Sequence, residues 1–297
     1  MAKHTASLNV SIVGAGKVGT ALAMLLRRKG VRVASVISRH RASARRTAML
    51  AGCKRYSHRL TDIHPDTHFL LLTVSDNELK HVAREIANTA SLKFSRLFVA
   101  HTSGAFTSDE LQPLSGLRST VFSFHPMHSF PGKISPLKQV QALAGVSYGV
   151  EGSPKAIRFA RRIVRKIGGN LLRVPKEGKI LYHLACVFAS NYSIVLMGVV
   201  DEMAKGFTHE SSKRHFKKLT ESSIENAFQF SPAKALTGPL VRGDVQTIRA
   251  HLKKLTGKRR HLRYLYKALG QVALRMAAQE HVISKRRILQ LRKILER

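Results

Sequence analysis

Four polar residues at the head of the chain's second part have types and spacing suited to proton chemistry. Lys179 and His183 stand four positions apart, one helical turn, so their side chains share a face. Tyr182 lies between them. Asn191 follows two further turns along, displaced sideways by roughly 80° at 3.6 residues per turn. Adding hydride to C=O or C=N needs a proton donor beside the developing negative charge. A lysine partly withdrawn from water can titrate near neutral pH, and an imidazole does so already. Lys179 or His183 is therefore the expected acid or base. A plain solvated lysine followed by a satisfied core histidine is the competing reading.

A second cluster, Ser123-Phe124-His125-Pro126-Met127-His128-Ser129, follows a short strand-like run. The proline after His125 restrains its backbone, which suits a side chain that must point one way. His125 and His128 are spaced like metal ligands, but no third ligand at a convincing spacing accompanies them, and no metal is expected. His101-Thr102-Ser103-Gly104 supplies further polar groups; Thr102 and Ser103 are expected to meet cofactor or substrate, with Ser103, His125 and Asn191 orienting it.

The partner for this chemistry is suggested near the amino end. Gly14-Ala15-Gly16-Lys17-Val18-Gly19 matches G-x-G-x-x-G, directly after a strand-like run and at the opening of a helix-like one. Gly14 would permit the tight turn, Gly16 the approach of a pyrophosphate, and Gly19 close helix packing. Sites for the unphosphorylated dinucleotide end the second strand with Asp or Glu. Here Ser38-Arg39-His40-Arg41 stands there without a carboxylate, and a hydroxyl with a guanidinium suits a 2′-phosphate. NADP is the expected cofactor, with Val74 and Ser75 lining the same crevice.

These groups need elements to hold them. Strand-like and helix-like stretches alternate from Leu8 onward: strands at 8–13, 31–38, 68–74 and 97–100, with helices over 17–28 and from the basic segment through Ala51. Ser75 with Glu78 and Thr107 with Glu110 are spaced as capping boxes. Ser153-Pro154 opens a helix that Gly168-Gly169 closes, and a last strand covers 170–174. Beyond Pro175 the pattern is helical: 175–205, 208–229, 244–255 and 258–282, with Asp244 as an N-cap. The fold class predicted is α/β, a doubly wound Rossmann domain over 1–174 followed by an all-α domain over 175–297 carrying substrate and dimer contacts.

Composition bounds the function. The 297 residues carry 51 Lys and Arg against 17 Asp and Glu, a formal charge of +34. The excess is spread throughout: 27 basic against 8 acidic residues up to position 174, and 24 against 9 beyond it. Such a field concentrates anions. No nucleic-acid reading motif and no tryptophan accompany it, so a nucleic-acid-binding role stands behind both an enzyme and a non-catalytic NADP sensor. Two cysteines suit a reducing, cytoplasmic setting, and no signal-peptide core is evident. Ile180–Val200 is 21 residues without a formal charge, long enough to span a membrane, but it carries His183, Ser190, Asn191 and Ser193. A buried central helix and a homodimer through the helical domain are expected instead.

Taken together, Gly14 to Gly19, His101 to Ala105, Phe124-His125-Pro126, Tyr182-His183 with Val187 to Tyr192, and Ala235 to Pro239 with Arg242-Gly243-Asp244 resemble a bacterial family. Its members join a Rossmann-like domain to a helical domain of unknown function and are described as NADP oxidoreductase-like. His-Pro-Met also resembles a segment of prephenate dehydrogenases in which the histidine contacts the substrate hydroxyl. A more distant resemblance to the phosphogluconate, hydroxyisobutyrate, ketopantoate and pyrroline carboxylate reductases implies a Lys and, one turn later, an Asn on the first long helix after the Rossmann domain. Lys179 matches that lysine, whereas His183 stands at the Asn position. The resemblance implies hydride transfer with a small, anionic carbonyl, hydroxy or imine compound between the domains.

Overall fold

The computed structural model describes residues 8–88, 92–132, 134–280 and 283–296. Contacts divide the chain into one compact unit ending at Tyr192 and another beginning at Ser193.

The first unit alternates strands and helices: β1 (Asn9–Val13), α1 (Lys17–Arg28), β2 (Arg32–Ile37), α2 (Arg41–Leu50), β3 (Tyr56–Ser57), β4 (Phe69–Leu72), α3 (Leu79–Ala87), β5 (Phe98–His101), α4 (Gln112–Ser115), β6 (Thr120–Pro126), α5 (Pro136–Ala142), β7 (Ser147–Gly152), α6 (Pro154–Ile167), β8 (Asn170–Arg173) and α7 (Lys179–Val187). One sheet runs β3-β2-β1-β4-β5-β6-β7-β8. It is parallel through β6, turns antiparallel at β7, and β8 runs parallel to β7. The chain leaves β1 toward β2 on one side and returns at β4 on the other, so a crevice opens at the carboxyl ends of these strands.

Alternation along the strands sorts side chains to two faces. Phe69 and Leu71 join Ile12, Phe122 and Phe124 in a core covered by α1, α2, α5 and α6, while Leu70 and Leu72 join the core under α3 and α4. The helix ends follow the sequence signals in part. Gly30 takes φ +70° just after α1. The Ser153 hydroxyl accepts the Ala156 N–H at 3.3 Å to cap α6, and Gly168 ends that helix at φ +78°. The Ser75–Glu78 capping box does not form. A single 3₁₀ turn, Asp76–Glu78, intervenes, and α3 starts at Leu79 without a side-chain cap from Ser75. Thr107 does cap a 3₁₀ turn, accepting the Asp109 N–H. Strand β7 and helix α5 were not anticipated, because neither shows a clean apolar period.

The second unit is helical: α8 (Ser193–Ala204), α9 (Ser212–Phe230), α10 (Pro232–Ala235), α11 (Val245–Lys254), α12 (Arg260–Gln279) and α13 (Lys285–Glu296). Ile248, Leu252, Leu274, Ala277, Leu291 and Leu295 form its core. Asp244 caps α11 as expected, accepting the Thr247 N–H at 3.1 Å.

The segment expected as one buried helix over 175–205 differs in two ways. It begins at Lys179, and residues Phe188–Tyr192 form a π turn between α7 and α8. It is also largely exposed: the stretch Lys179–Ala204 is long and apolar enough to cross a membrane, and no residue of its most hydrophobic window is fully buried. Ile180, Leu181, Leu184 and Phe188 are exposed. At its amino end, Lys179 and Tyr182 are tied by polar contacts to the sheet. The last strand ends at Arg173, and the first compact unit runs on to Tyr192, with α7 held on the sheet through those two side chains.

Candidate functional site

Two cavities lie on the carboxyl edge of the parallel strands. The first, of about 360 Å³, is lined by Gly14, Ala15, Gly16, Ser38, Arg39, Val74 and Ser75. Seven of the anticipated cofactor residues therefore meet in one cleft. Its glycines divide by role. Gly14 has φ +106°, and a Cβ there would overlap the Thr73 main chain at 2.6 Å. A Cβ on Gly19 would collide with the Gly14 carbonyl and the Thr73 hydroxyl. Gly16 instead faces open space and opens α1, whose first turn carries no acidic residue and whose N-cap makes no side-chain bond. The free N–H groups and the positive end of the helix dipole there suit an anion. The residues present thus fit a dinucleotide diphosphate.

Five other anticipated cofactor residues do not line this cleft. Gly19 is packing only, and Val18 is half-buried against the core. The Lys17 ammonium reaches toward Gly132. The Thr102 N–H donates to the Leu72 carbonyl at 3.1 Å, continuing the sheet. The Ser103 hydroxyl is spent within its loop, donating to Asp76 at 3.0 Å and accepting from the Ala105 and Phe106 N–H groups. Arg41 packs over the Tyr56 ring, 6.0 Å from its centroid, which leaves Arg39 as the basic side chain at the end of β2 that faces the cleft. Sequence reading missed His58, Glu78, His81 and Glu85 in the lining. The helical spacing of Glu78, His81 and Glu85 was the available signal.

The second cavity, about 470 Å³, is lined by His125, Met127, His128, Ser129, His183, Cys186, Val187, Ala189, Ser190 and Asn191. All belong to the unit ending at Tyr192. His125 comes from the end of β6, His183 from α7 and Asn191 from the π turn. That turn is what brings Asn191 in. One extra residue in a π turn absorbs about 100° of rotation, so eight residues sweep about two full turns rather than overshooting by 80°. His183 and Asn191 then share a face.

His125 is positioned by a hydrogen bond. It is opposite Gly149 in the β6–β7 pairing, and its Nδ1 lies 2.6 Å from the Tyr182 hydroxyl, which also bonds the Gly149 main chain and Cys186. A side chain at Gly149 would occupy the space of that hydroxyl. Nδ1 is engaged there, and the second ring nitrogen is Nε2. That atom and the His183 ring both close on Gly104, where a Cβ would sit 3.0 Å and 2.5 Å away. Burial, and then the nearby Lys179 charge, hold His125 down at about 4. His125 is thus a neutral imidazole at the cavity wall.

Lys179 is elsewhere. It is fully buried behind the cavity, where its ammonium donates to Ser123 Oγ at 2.8 Å and more weakly to the Ser103 carbonyl at 3.4 Å. It also sits 5.2 Å from the Tyr182 ring centroid. Burial pushes Lys179 down to about 8, against the opposing pull of Glu151. Glu151 is itself buried and accepts the Ser108 N–H and hydroxyl at 2.7 and 2.9 Å. His101, also buried, donates Nε2–H to the Thr107 carbonyl and accepts the Ser103 N–H, with burial lowering it to about 4. Lys179, Glu151 and His101 therefore brace the loops behind the cavity. Glu151 and Tyr182 were not singled out for these roles, since their partners are 25 or more residues distant in sequence.

Comparison with known proteins agrees with this architecture. Residues 2–126 match a Rossmann-like domain and residues 146–273 match the domain of unknown function DUF2520. The chain thus joins a Rossmann-like domain to a DUF2520 domain. Among solved structures it is similar to a Bacteroides fragilis protein named only provisionally as an NADP oxidoreductase, with 22% identity, TM-score 0.73, and 90% of this chain and 98% of that one covered. A Thermotoga maritima protein gives 22% identity and TM-score 0.71, covering 92% and 99%. An imine reductase from Myxococcus stipitatus in complex with NADP⁺ gives 15% identity and TM-score 0.57, covering 97% and 93%. At these identities the likeness is one of fold. No curated protein sequence matches the chain.

Proposed function

We propose that this DUF2520 protein is an NADP-dependent oxidoreductase acting on a small, anionic carbonyl, hydroxy or imine compound held in the histidine-lined cavity. The observation that carries the reading is the pairing of a fitted anion cradle at α1 with a cavity of oriented imidazoles on the same edge of one sheet. When bound, the nicotinamide supplies or accepts the hydride. The chain's residues do the rest. Gly14, Gly16 and the α1 amino end hold the diphosphate, and Ser38 with Arg39 receives the 2′-phosphate. His125 donates Nε2–H to the substrate oxygen or nitrogen, its direction fixed by Tyr182 and Gly149. His183, half-buried in the same wall, gives or takes the proton, and Asn191 orients the substrate. The NADP oxidoreductase name of the Bacteroides fragilis protein and the NADP⁺ complex of the imine reductase support this reading.

A second reading, a non-catalytic NADP sensor, is favoured by one observation: the lysine implied by family resemblance is walled off behind the cavity. Calorimetry with NADPH and NADH, followed by hydride exchange against a panel of 2-keto acids, hydroxy acids and cyclic imines, separates the two. Tight NADPH binding with turnover of one class supports the enzyme; binding without turnover supports the sensor. No binding of either dinucleotide overturns both.

The exposed apolar side chains of α7, Ile180, Leu181 and Leu184, support a homodimer. Light scattering showing only a 33 kDa species would contradict it.

A further inference from the structure

Helix α6 lies away from both cavities and carries a feature that overall basicity does not account for. Its buried face is wholly apolar: Ala156, Ile157, Phe159, Ala160, Ile163, Val164 and Ile167. Apart from Pro154 at its start, every exposed position is cationic: Lys155, Arg158, Arg161, Arg162, Arg165 and Lys166. At 100° per residue the six fall within an arc of about 140° and extend over about 16 Å of helix. None pairs with a carboxylate among the described residues. The Lys29 ammonium adds a further cation beside Gly168, at the helix's carboxyl end. Other helices mix uncharged or acidic residues into their exposed faces: α2 exposes Ala42, Met49 and Leu50 beside its arginines, and α9 carries Glu221 and Glu225 among its lysines.

The face is also shaped. A groove of about 510 Å³ runs along it, walled by Lys155, Arg158, Arg161, Arg162 and Arg165, with Phe98 and Phe159 as its floor. The two rings stack at 3.8 Å and 10°, and Lys155 and Arg162 lie over them at 5.6 and 5.7 Å. Phe159 is buried and Phe98 half-buried, so the groove has a closed aromatic floor under a continuous cationic rim, the chemistry that tracks a sugar–phosphate backbone. An anionic membrane fits less well, because the exposed arc offers no apolar side chain to insert.

We propose that the α6 face is a docking surface for nucleic acid, bound through its phosphates without base-specific readout. The test uses the full chain and a fluorescent 20-nucleotide single strand titrated at several salt concentrations. A variant with Arg158→Gln, Arg162→Gln and Arg165→Gln is compared with a charge-matched control, Lys285→Gln, Arg286→Gln and Lys293→Gln on α13. Circular dichroism and NADPH titration verify that both remain folded. The α6 variant should bind at least about tenfold more weakly near 0.1 M salt, with the log–log salt slope smaller by about 2 for three lost phosphate contacts. The control should keep both affinity and slope. Equal losses in the two variants would mean that net charge alone is at work and would overturn the proposal. So would unchanged oligonucleotide binding by the α6 variant, or loss confined to phosphatidylserine vesicles.

Discussion

The two cavities on one sheet edge are built from different materials. The glycine-turn cleft has a main-chain cradle, built from a glycine turn, the end of a helix and the ends of three strands, with Ser38, Arg39, His58, Glu78, His81 and Glu85 around it. The histidine cavity is made of side chains brought from β6, α7 and a π turn, and is braced from behind by Lys179, Glu151 and Tyr182. A backbone site fails when a side chain is added, whereas a side-chain site fails when one is removed. The difference separates cofactor binding from chemistry.

The largest expected effect belongs to the side-chain site. His125→Asn should leave NADPH affinity intact while lowering turnover by roughly 10²- to 10⁴-fold, the range for a lost proton-handling group. Equal loss of cofactor affinity would show that the two cavities are not separable. The glycines come next. Gly14→Ala meets both a φ of +106° and the Thr73 main chain, and should destabilise the fold by about 2–4 kcal/mol in urea titration. Gly16→Ala meets nothing within 4 Å, so stability should hold while dinucleotide affinity falls. If both variants are equally stable, the cradle geometry is wrong.

Acid sharpens the contrast, because the side-chain site alone carries buried imidazoles. His101 and His125 titrate at about 4 when folded and near 6.5 when unfolded. Between those values the unfolded chain binds more protons, so their contribution to stability is complete above pH 6.5 and lost as pH falls through 4. Two such groups give a slope of up to about 2.7 kcal/mol per pH unit, measurable by urea unfolding at pH 7, 6 and 5. His125→Asn should halve it; an unchanged slope would place the titration elsewhere. The smallest effect is on cofactor choice. Arg39→Ser should weaken NADPH binding about tenfold and leave NADH binding unaltered, since a charge-assisted bond to one phosphate is lost. Parallel loss for both would assign Arg39 to general electrostatics.

Legibility from sequence followed the same division. The G-x-G-x-x-G turn, the missing carboxylate after β2, and the Ser153 cap with the Gly168 stop of α6 rest on interactions within a few residues, and residue type alone exposes them. His125, His183 and Asn191 were identifiable as types that do chemistry, and they do meet in one cavity. Lys179 was identifiable too, but its buried position was not, because that depends on Ser123 and Ser103, 56 and 76 residues away. Ser103 read as a ligand contact and folded as a loop brace for the same reason. The helix over 180–200 read as buried from its hydropathy, which measures transfer preference and not whether a covering partner exists.

The amino-acid string by itself settled the strand–helix alternation, the glycine turn before α1 and which side chains have types suited to proton chemistry, because these follow from period, glycine stereochemistry and functional-group type. Tertiary structure alone decided which of those side chains face a cavity. The π turn rotates Asn191 onto the His183 face, Gly149 and Tyr182 position the His125 ring, and the sheet closes over Lys179. Each outcome depends on residues that meet only after the chain has folded, and no local preference encodes such meetings.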